Sequence, residues 1–593
     1  MDRRSFLAQA AGRRTTGRRR DRRRPTAPSS LRATAVSETT VALAWKAARD
    51  NVGVAKYEVL RDGRRVAFTK KRTFVDRRLR AGVAYAYRVR ALDAARNIGP
   101  ATRPLRVTTR PRPNGGGSSG PGPTTSAPPP PAPPPPGGGT PSNPLSTAMV
   151  DRVFWRAGFG PSDADRASWT GRSMDELVDW FLSTPNSLRT TSTPPTYNGN
   201  PIDPLATDDE LVMDWLDRMQ RSVNPLVERM TFFWHRHWAV SRDAGIPAQW
   251  LLSYANRLRG YADLGANPNA SFRQLALDMT TADGAMSYFL TGFSNVKGHP
   301  NENYAREFME LFCLGVVDAA GNANYTQTDV EELARAFTGY QLDWEPSSPT
   351  YGGVSFDASE FDPGTKTILG HTGAYNAPAA VDIVLGHANH APYLVRKLWK
   401  EFVFTPIPQA TLDDLVATYL GSGFLLRPLL KKILTNPLIF ESLDEPNLVK
   451  PPVQFTVGVL KAMDAPLRDW WQADSLDLMQ QVPYTPPNVA GWEGGLSWLN
   501  TNTVQARFDL IVRCQQLKYA SPNSPIADVP GETAQQAFDR AFVEVGSPWL
   551  SPQTRSLLLT YSQQAPTTTV GQRRERQYAL RAFMLGGPDA QVT

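Results

Sequence analysis

Residues 295–344 read NVKGHPNENYAREFMELFCLGVVDAAGNANYTQTDVEELARAFTGYQLDW, and this stretch decides the fold of the larger part of the chain. Tyr304, Phe308, Leu311 and Phe312 recur at helical spacing, which predicts a helix over 301–316. Asn303, Glu307 and Glu310 stand at i, i+4 and i+7 on a neighbouring face, with Arg306 beside them. Such a line is either a solvated helix face or a buried polar site, and here it is expected to turn toward the FWHRHW helix at 225–237. Thr326 with Asp329 reads as a capping box that opens the next helix.

The same periodicity extends on both sides. Helices are predicted over 147–157, 174–183, 208–220, 225–237, 248–264, 272–279, 326–338, 378–385, 391–403, 411–420, 426–434, 451–463, 476–481, 502–517 and 573–585. Strand signal is thin there, and GGVSFD with KTIL predicts one hairpin within 351–369. Residues 145–593 therefore read as one large α-helical domain. Residues 26–110 differ: TTVALAW, KYEVLRD and VAYAYRVRAL alternate apolar and polar residues between turns, the pattern of an all-β sandwich. Between them, 111–144 is almost entirely Pro, Gly, Ser and Thr, including PPPPAPPPP, and cannot build a core; it is expected to be a disordered or stiffly extended linker. The fold class is thus multidomain: immunoglobulin-like sandwich, linker, helical domain.

Charge divides along the same lines. The whole chain carries +9, yet the first 143 residues carry +22, so the remainder carries −13. The basic pI gives no reason to expect a nucleic acid partner for the acidic helical part. The basic module suits anionic cell-wall polymers or membranes, or is a solvated Arg-rich surface. No run of about 18 apolar residues occurs, so no transmembrane segment is expected. Cys313 and Cys514 are too few for a disulfide scaffold, and Cys313 reads as a small core residue. At residues 1–25, Arg3 and Arg4 followed by Ser5, Phe6 and Leu7 look like a twin-arginine export signal. The apolar stretch that should follow is missing, and GRRTTGRRRDRRRP stands in its place; this basic leader is expected to be disordered. A secreted or cell-envelope location is expected, chiefly because a β-sandwich sits on a Pro-rich tether.

All six histidines lie in the helical part. His235 and His237 fall about 200° apart on a continuing helix and converge only if it ends there. Glu228, His235, His237, Asn303, Glu307 and Glu310 form a candidate catalytic cleft with roles unassigned. His235, His237, His390 and Glu307 are the candidate ligands of a divalent metal. The alternative is that these groups form a buried hydrogen-bond network or cap helix ends. No HExxH occurs, and neither G-x-S-x-G nor a P-loop is present. Trp492, Trp498 and Asn488 share the Gly-rich stretch PPNVAGWEGGLSWLN, where Trp rings with Asn and acids suit sugar binding, or the rings anchor the loop in the core.

Two resemblances bear on these readings. Residues 26–110 resemble a fibronectin type III domain of the bacterial extracellular kind, with Trp45, Tyr57, Tyr85 and Tyr87 at its core positions. FWRAGFGPS (154–162), ERMTFFWHRHWAVS (228–241), the 295–316 string, YTQTDVEELARAFTGY (325–340), DPGTKTILG (362–370), VRKLWKEFV (395–403) and PPNVAGWEGGLSWLN (486–500) resemble the bacterial family called domain of unknown function 1800. That resemblance implies exported or envelope proteins of unassigned activity, and a functional partner in another exported family, domain of unknown function 1501. It places the family's polar residues on Arg156, Glu228, His235, His237, Asn303, Glu307, Glu310, Lys397, Asn488 and Trp492, among others. This chain has Phe361 before Asp362, where the family pattern has His, which puts a ligand role there in doubt. The functional expectation is an exported envelope protein whose polar cleft acts on or binds cell-wall or extracellular polysaccharide; the alternative is a non-catalytic scaffold that uses the Trp-rich loop.

Overall fold

In a computed structural model, the structure describes residues 23–593 apart from 38–39, 62–63, 70, 77–83, 94–98, 111–143, 192–193, 447, 469–470 and 520–525. The twin-arginine-like start and nearly all of the linker lie outside the described residues. The chain divides into two compact units, Met1–Thr124 and Thr125–Thr593.

The first unit is a two-sheet sandwich. Strands β1 (Ser29–Val36), β2 (Val41–Lys46) and β5 (Thr73–Asp76) form one sheet. Strands β4 (Arg64–Thr69), β3 (Val54–Arg61), β6 (Ala84–Asp93) and β7 (Leu105–Thr108) form the other, in that order. Alternation does the work: Val41, Leu43 and Trp45 of β2 and Tyr87, Val89 and Ala91 of β6 all point into one core. Trp45 meets Tyr57 edge-on at 5.7 Å. Asp76, buried at the end of β5, is held by Arg61 at 3.0 Å and by the Tyr87 hydroxyl at 2.7 Å.

The second unit is mainly helical, with one hydrophobic core. The helix Pro225–His237 runs through its centre, and Arg236 alone among its residues is not buried. A helix buried all round must find an internal partner for each polar side chain it carries. Glu228 accepts from Trp215 Nε1 at 2.9 Å and from Arg259 Nε at 2.6 Å. Arg229 and Arg236 share Glu401, each at 2.7 Å. Thr231 donates to its own helix at Val227 O, 2.7 Å.

Helix 301–316 differs from expectation. It runs as α-helix over Glu302–Glu307, widens to a π-turn over Phe308–Cys313, and stops at Gly315, whose φ is +76°. The expected hairpin within 351–369 does not form. Val354–Phe356 pairs with Tyr340–Leu342, and Lys366–Ile368 pairs with His371–Gly373, because Gly370 with φ +82° turns the chain back locally. Helices at Asp163–Trp169, Gly284–Phe289, Ala534–Glu544 and Pro552–Gln564 are additional. Cys313 and Cys514 are both free and buried. Among the described residues no helix is long and apolar enough to cross a membrane.

The loop between Tyr340–Leu342 and Val354–Phe356 is closed by two main-chain bonds, Asp343 N to Gly353 O and Gly352 N to Asp343 O, both 2.9 Å. Gly352 has φ +81°, and a Cβ there would lie 2.1 Å from Trp250 Nε1. Gly352→Ala is therefore expected to cost about 1–3 kcal/mol by overpacking and left-handed strain. Thermal denaturation should show a lowered Tm; an unchanged Tm would mean the loop is not pinned as described.

Candidate functional site

The candidate cleft residues do not share one cleft. His235 and His237 sit at the end of the central helix, and the helix does end there, yet their rings diverge. His235 Nε2 accepts from the Tyr484 main-chain N–H at 2.9 Å. Its Nδ1 must then carry the proton and donate to Tyr254 Oη, 2.9 Å, which donates onward to Trp238 O at 2.6 Å. His237 takes the opposite tautomer: Nε2 carries the proton and lies 3.0 Å from Phe312 O, a pure acceptor, and Nδ1 accepts a hydrogen bond from Lys397 Nζ at 3.1 Å. His390 donates from Nδ1 to Cys313 O at 3.1 Å and accepts from Tyr419 Oη at 3.0 Å.

Two of these three rings meet the π-turn, and its geometry explains why. The last carbonyls of any helix lack intrahelical partners. Here those from Glu310 to Gly315 all accept from side chains. Tyr393 Oη donates to Leu311 O at 2.8 Å and approaches Glu310 O at 3.4 Å. Lys397 Nζ donates to Leu311 O at 2.8 Å, His237 to Phe312 O and His390 to Cys313 O. Asn389 and Asn324 donate to Leu314 O, and Asn324 also reaches Gly315 O at 2.8 Å. A lysine at this end also faces the negative pole of the helix dipole. Lys397 was legible only through the family resemblance, because nothing in its local pattern marks it.

The metal reading loses its ligands on this geometry. Both nitrogens of His235, His237 and His390 are already engaged, and among the described residues no three His, Cys, Asp or Glu side chains converge as a metal site. Burial pushes the His235 imidazole down to about 3 and that of His390 to about 4, and it holds His237 well below its ordinary value, with Lys397 adding to the effect. Burial likewise pushes Lys397 down to about 7, with Arg236 nearby.

The Asn303–Glu307–Glu310 line does not face the central helix. That helix meets the carbonyl end instead, and just past it the Trp238 ring lies 4.3 Å from that of Phe312, tilted by 40°. Asn303 is exposed and donates to Leu290 O at 3.1 Å. Glu310 is half-buried and accepts from Tyr325 Oη at 3.3 Å. Glu307 is half-buried with no hydrogen-bond donor among the described residues. Partial burial and the neighbouring Glu310 raise its carboxyl above the ordinary range, against the pull of Arg306.

The Trp-rich loop also sits differently from its sugar-binding reading. Trp492 is 6% exposed, stacked on Phe232 at 5.6 Å and edge-on to His235 at 5.4 Å. Trp498 is 5% exposed, and Asn488 turns its Oδ1 onto Ala490 N at 2.9 Å. Neither indole offers a face to a ligand. Phe361 carries Lys366 Nζ over its ring at 5.1 Å.

Among the described residues the exposed indole is Trp344, at 47%. It lies in the loop closed at Asp343 and Gly353, braced edge-on by Phe293 at 5.0 Å, Tyr288 at 5.4 Å and Trp250 at 5.8 Å. Asp343 beside it accepts from Thr350 Oγ1 at 2.7 Å, and Glu345 is solvent-facing. The string DWEPSSPTYGG carried the signal: an aromatic residue set among acids and turn formers has little reason to be core.

Residues 152–592 match the family described as "Protein of unknown function (DUF1800)", and the chain belongs to that family. A segment of the chain is 44% identical over 92 residues to Chitinase C of Streptomyces lividans, covering 16% of this chain and 15% of that protein. Another match is 39% identical over 90 residues to Exoglucanase B of Cellulomonas fimi, covering 15% and 8%. The chain thus spans well under a fifth of the length of these relatives. The solved sixth fibronectin type III domain of human fibronectin type III domain containing protein 3 aligns at 22% identity, covering 17% of this chain and 97% of that one, with a TM-score of 0.15.

The buried imidazoles set a pH dependence. Their folded pKa values lie below the unfolded value near 6.5, so the unfolded chain binds protons that the folded chain does not. Stability is fully present above pH 6.5 and falls as pH drops toward 4, by about 1.4 kcal/mol per pH unit for each histidine. Urea unfolding between pH 7.5 and 4.5 should show this loss, and His390→Gln should reduce its slope by one proton. A flat profile between pH 6.5 and 5 would contradict the assignment.

Proposed function

We propose that this is an exported, cell-envelope-associated protein that binds extracellular polysaccharide. In this reading the β-sandwich is a spacer or adhesive module, and the helical unit presents Trp344 to the sugar. The Trp344 platform carries the proposal: a half-exposed indole fixed by three aromatic neighbours, in a loop closed by main-chain bonds, beside the carboxylates of Asp343 and Glu345. A sugar offers C–H faces to an indole and hydroxyls to carboxylates. A ring already held in place also loses little entropy on binding. The likeness of one segment to parts of a chitinase and an exoglucanase supports a polysaccharide setting. Arg3–Arg4 with Ser5, Phe6 and Leu7 supports export through a twin-arginine route, and an exported partner of the domain of unknown function 1501 family fits the same location.

Binding of the full chain to insoluble chitin and cellulose tests the proposal. Retention should fall up to about tenfold in Trp344→Ala, the size expected of one aromatic contact, while Trp492→Ala should act through stability. Equal retention by wild type and Trp344→Ala would sink the reading.

A second reading is favoured by Glu307, whose raised carboxyl, lack of a donor and neighbouring Glu310 suit a general acid. Its rival roles separate by product. Release of reducing ends from either polymer, abolished in Glu307→Gln with Tm retained, would establish hydrolysis; no release by wild type would leave binding alone.

A further inference from the structure

Away from these sites, a cleft opens between the helix Thr147–Arg156, the helix Pro452–Ala462 and the segment around Asp589. Four cations line it: Arg166 is paired with Asp151, and the other three donate only to main-chain carbonyls. Arg152 is buried and donates to Ile439 O at 3.1 Å, Glu441 O at 3.0 Å and Ser442 O at 2.8 Å. Lys450 is 6% exposed; its Nζ donates to Ala590 O at 2.9 Å and lies 3.8 Å from the centre of the Trp155 ring. Lys461 Nζ donates to Gly160 O at 2.6 Å.

Among the described residues none of the three has a carboxylate within ion-pair distance. The acids of the cleft are committed elsewhere: Asp151 to Arg166 at 2.7 Å, and Asp589 to the Ser551 main-chain N–H at 2.7 Å. Buried charge is normally paired, because desolvation without a counter-charge is costly. Carbonyl dipoles offset part of that cost without supplying a counter-charge. Burial pushes Lys450 down to about 7 and Lys461 down to about 8, as expected for ammonium groups short of a counter-charge. Trp155 gives the cleft a flat apolar wall, kept in place by Gly160 and Gly458, where a Cβ would lie 2.7 Å and 2.4 Å from the ring.

We infer that this cleft is a binding site for a small organic anion, with Lys450, Lys461 and Arg152 holding a carboxylate or phosphate group and Trp155 bounding the body that carries it. The charge is opposite in sign to the formal charge of the helical region as a whole, so it is local to the cleft.

Isothermal titration of the full chain with inorganic phosphate and with glucuronate, at ionic strength matched by sodium chloride, tests this. Saturable binding of at least one probe is expected, weakened tenfold or more in Lys461→Gln, which replaces a partly buried lysine and is accepted only if its circular dichroism and Tm match wild type. Lys450→Gln is the second variant, accepted only if its circular dichroism and Tm match wild type. Binding of both probes assigns the site to the shared anionic group, and binding of one assigns it to phosphate or to carboxylate. No heat beyond the chloride control for either probe, or unchanged affinity in Lys461→Gln, would overturn the inference.

Discussion

Six consecutive carbonyls, from Glu310 to Gly315, are met by side chains from three other parts of the helical unit: His237, Asn324, and the run Asn389, His390, Tyr393 and Lys397. Left open in the interior, such carbonyls would cost more than most single packing contacts supply. The π-turn spaces them so that each is reached by a side-chain donor, Tyr393 and Asn324 each serving two, and Gly315 lets the chain leave without lengthening the helix. The arrangement ties the central helix to the His390–Phe402 helix through the backbone of a third segment. Any rotation of one would unpair the others.

This constraint settles what the interior polar residues are doing at rest. An imidazole that donates to a carbonyl or hydroxyl and accepts from an ammonium, a hydroxyl or a main-chain N–H has its ring lone pair engaged. Glu228 and Glu401 are likewise spent on Arg259, Arg229 and Arg236. The groups proposed to meet outside molecules are others: Trp344 in its closed loop, Glu307 beside Glu310, and the lysines along the Trp155 cleft. None is among the histidines that first draw the eye.

Much of the fold could be read from residue order. Helices at Met174–Ser183, Pro225–His237 and Leu426–Leu434 start and stop where apolar period, Pro and capping residues say they should. Ala534–Glu544 escaped because its buried stripe is Ala537, Phe538 and Ala541, too small to stand out, although Thr533 and Gln536 cap it. Pro552–Gln564 buries little more than Leu558 and Ser562, so period alone could not mark it. The site was less legible. A polar line along a helix does not say which neighbour it meets, and the extra residue of a π-turn rotates Glu310 off the expected face. Burial of Trp492 and exposure of Trp344 likewise depend on contacts distant in sequence, with Phe232 in one case and Tyr288, Phe293 and Trp250 in the other.

The most direct test of this account of the buried polar interior is the protonation state of the three buried rings. Long-range ¹H–¹⁵N correlation spectra of the histidine side chains at pH 6 distinguish the two neutral tautomers from imidazolium. The account requires fixed neutral forms, Nδ1–H for His235 and His390 and Nε2–H for His237, unmoved by added Zn²⁺. Imidazolium signals, averaged tautomers, or zinc-dependent shifts at any of the three would contradict it.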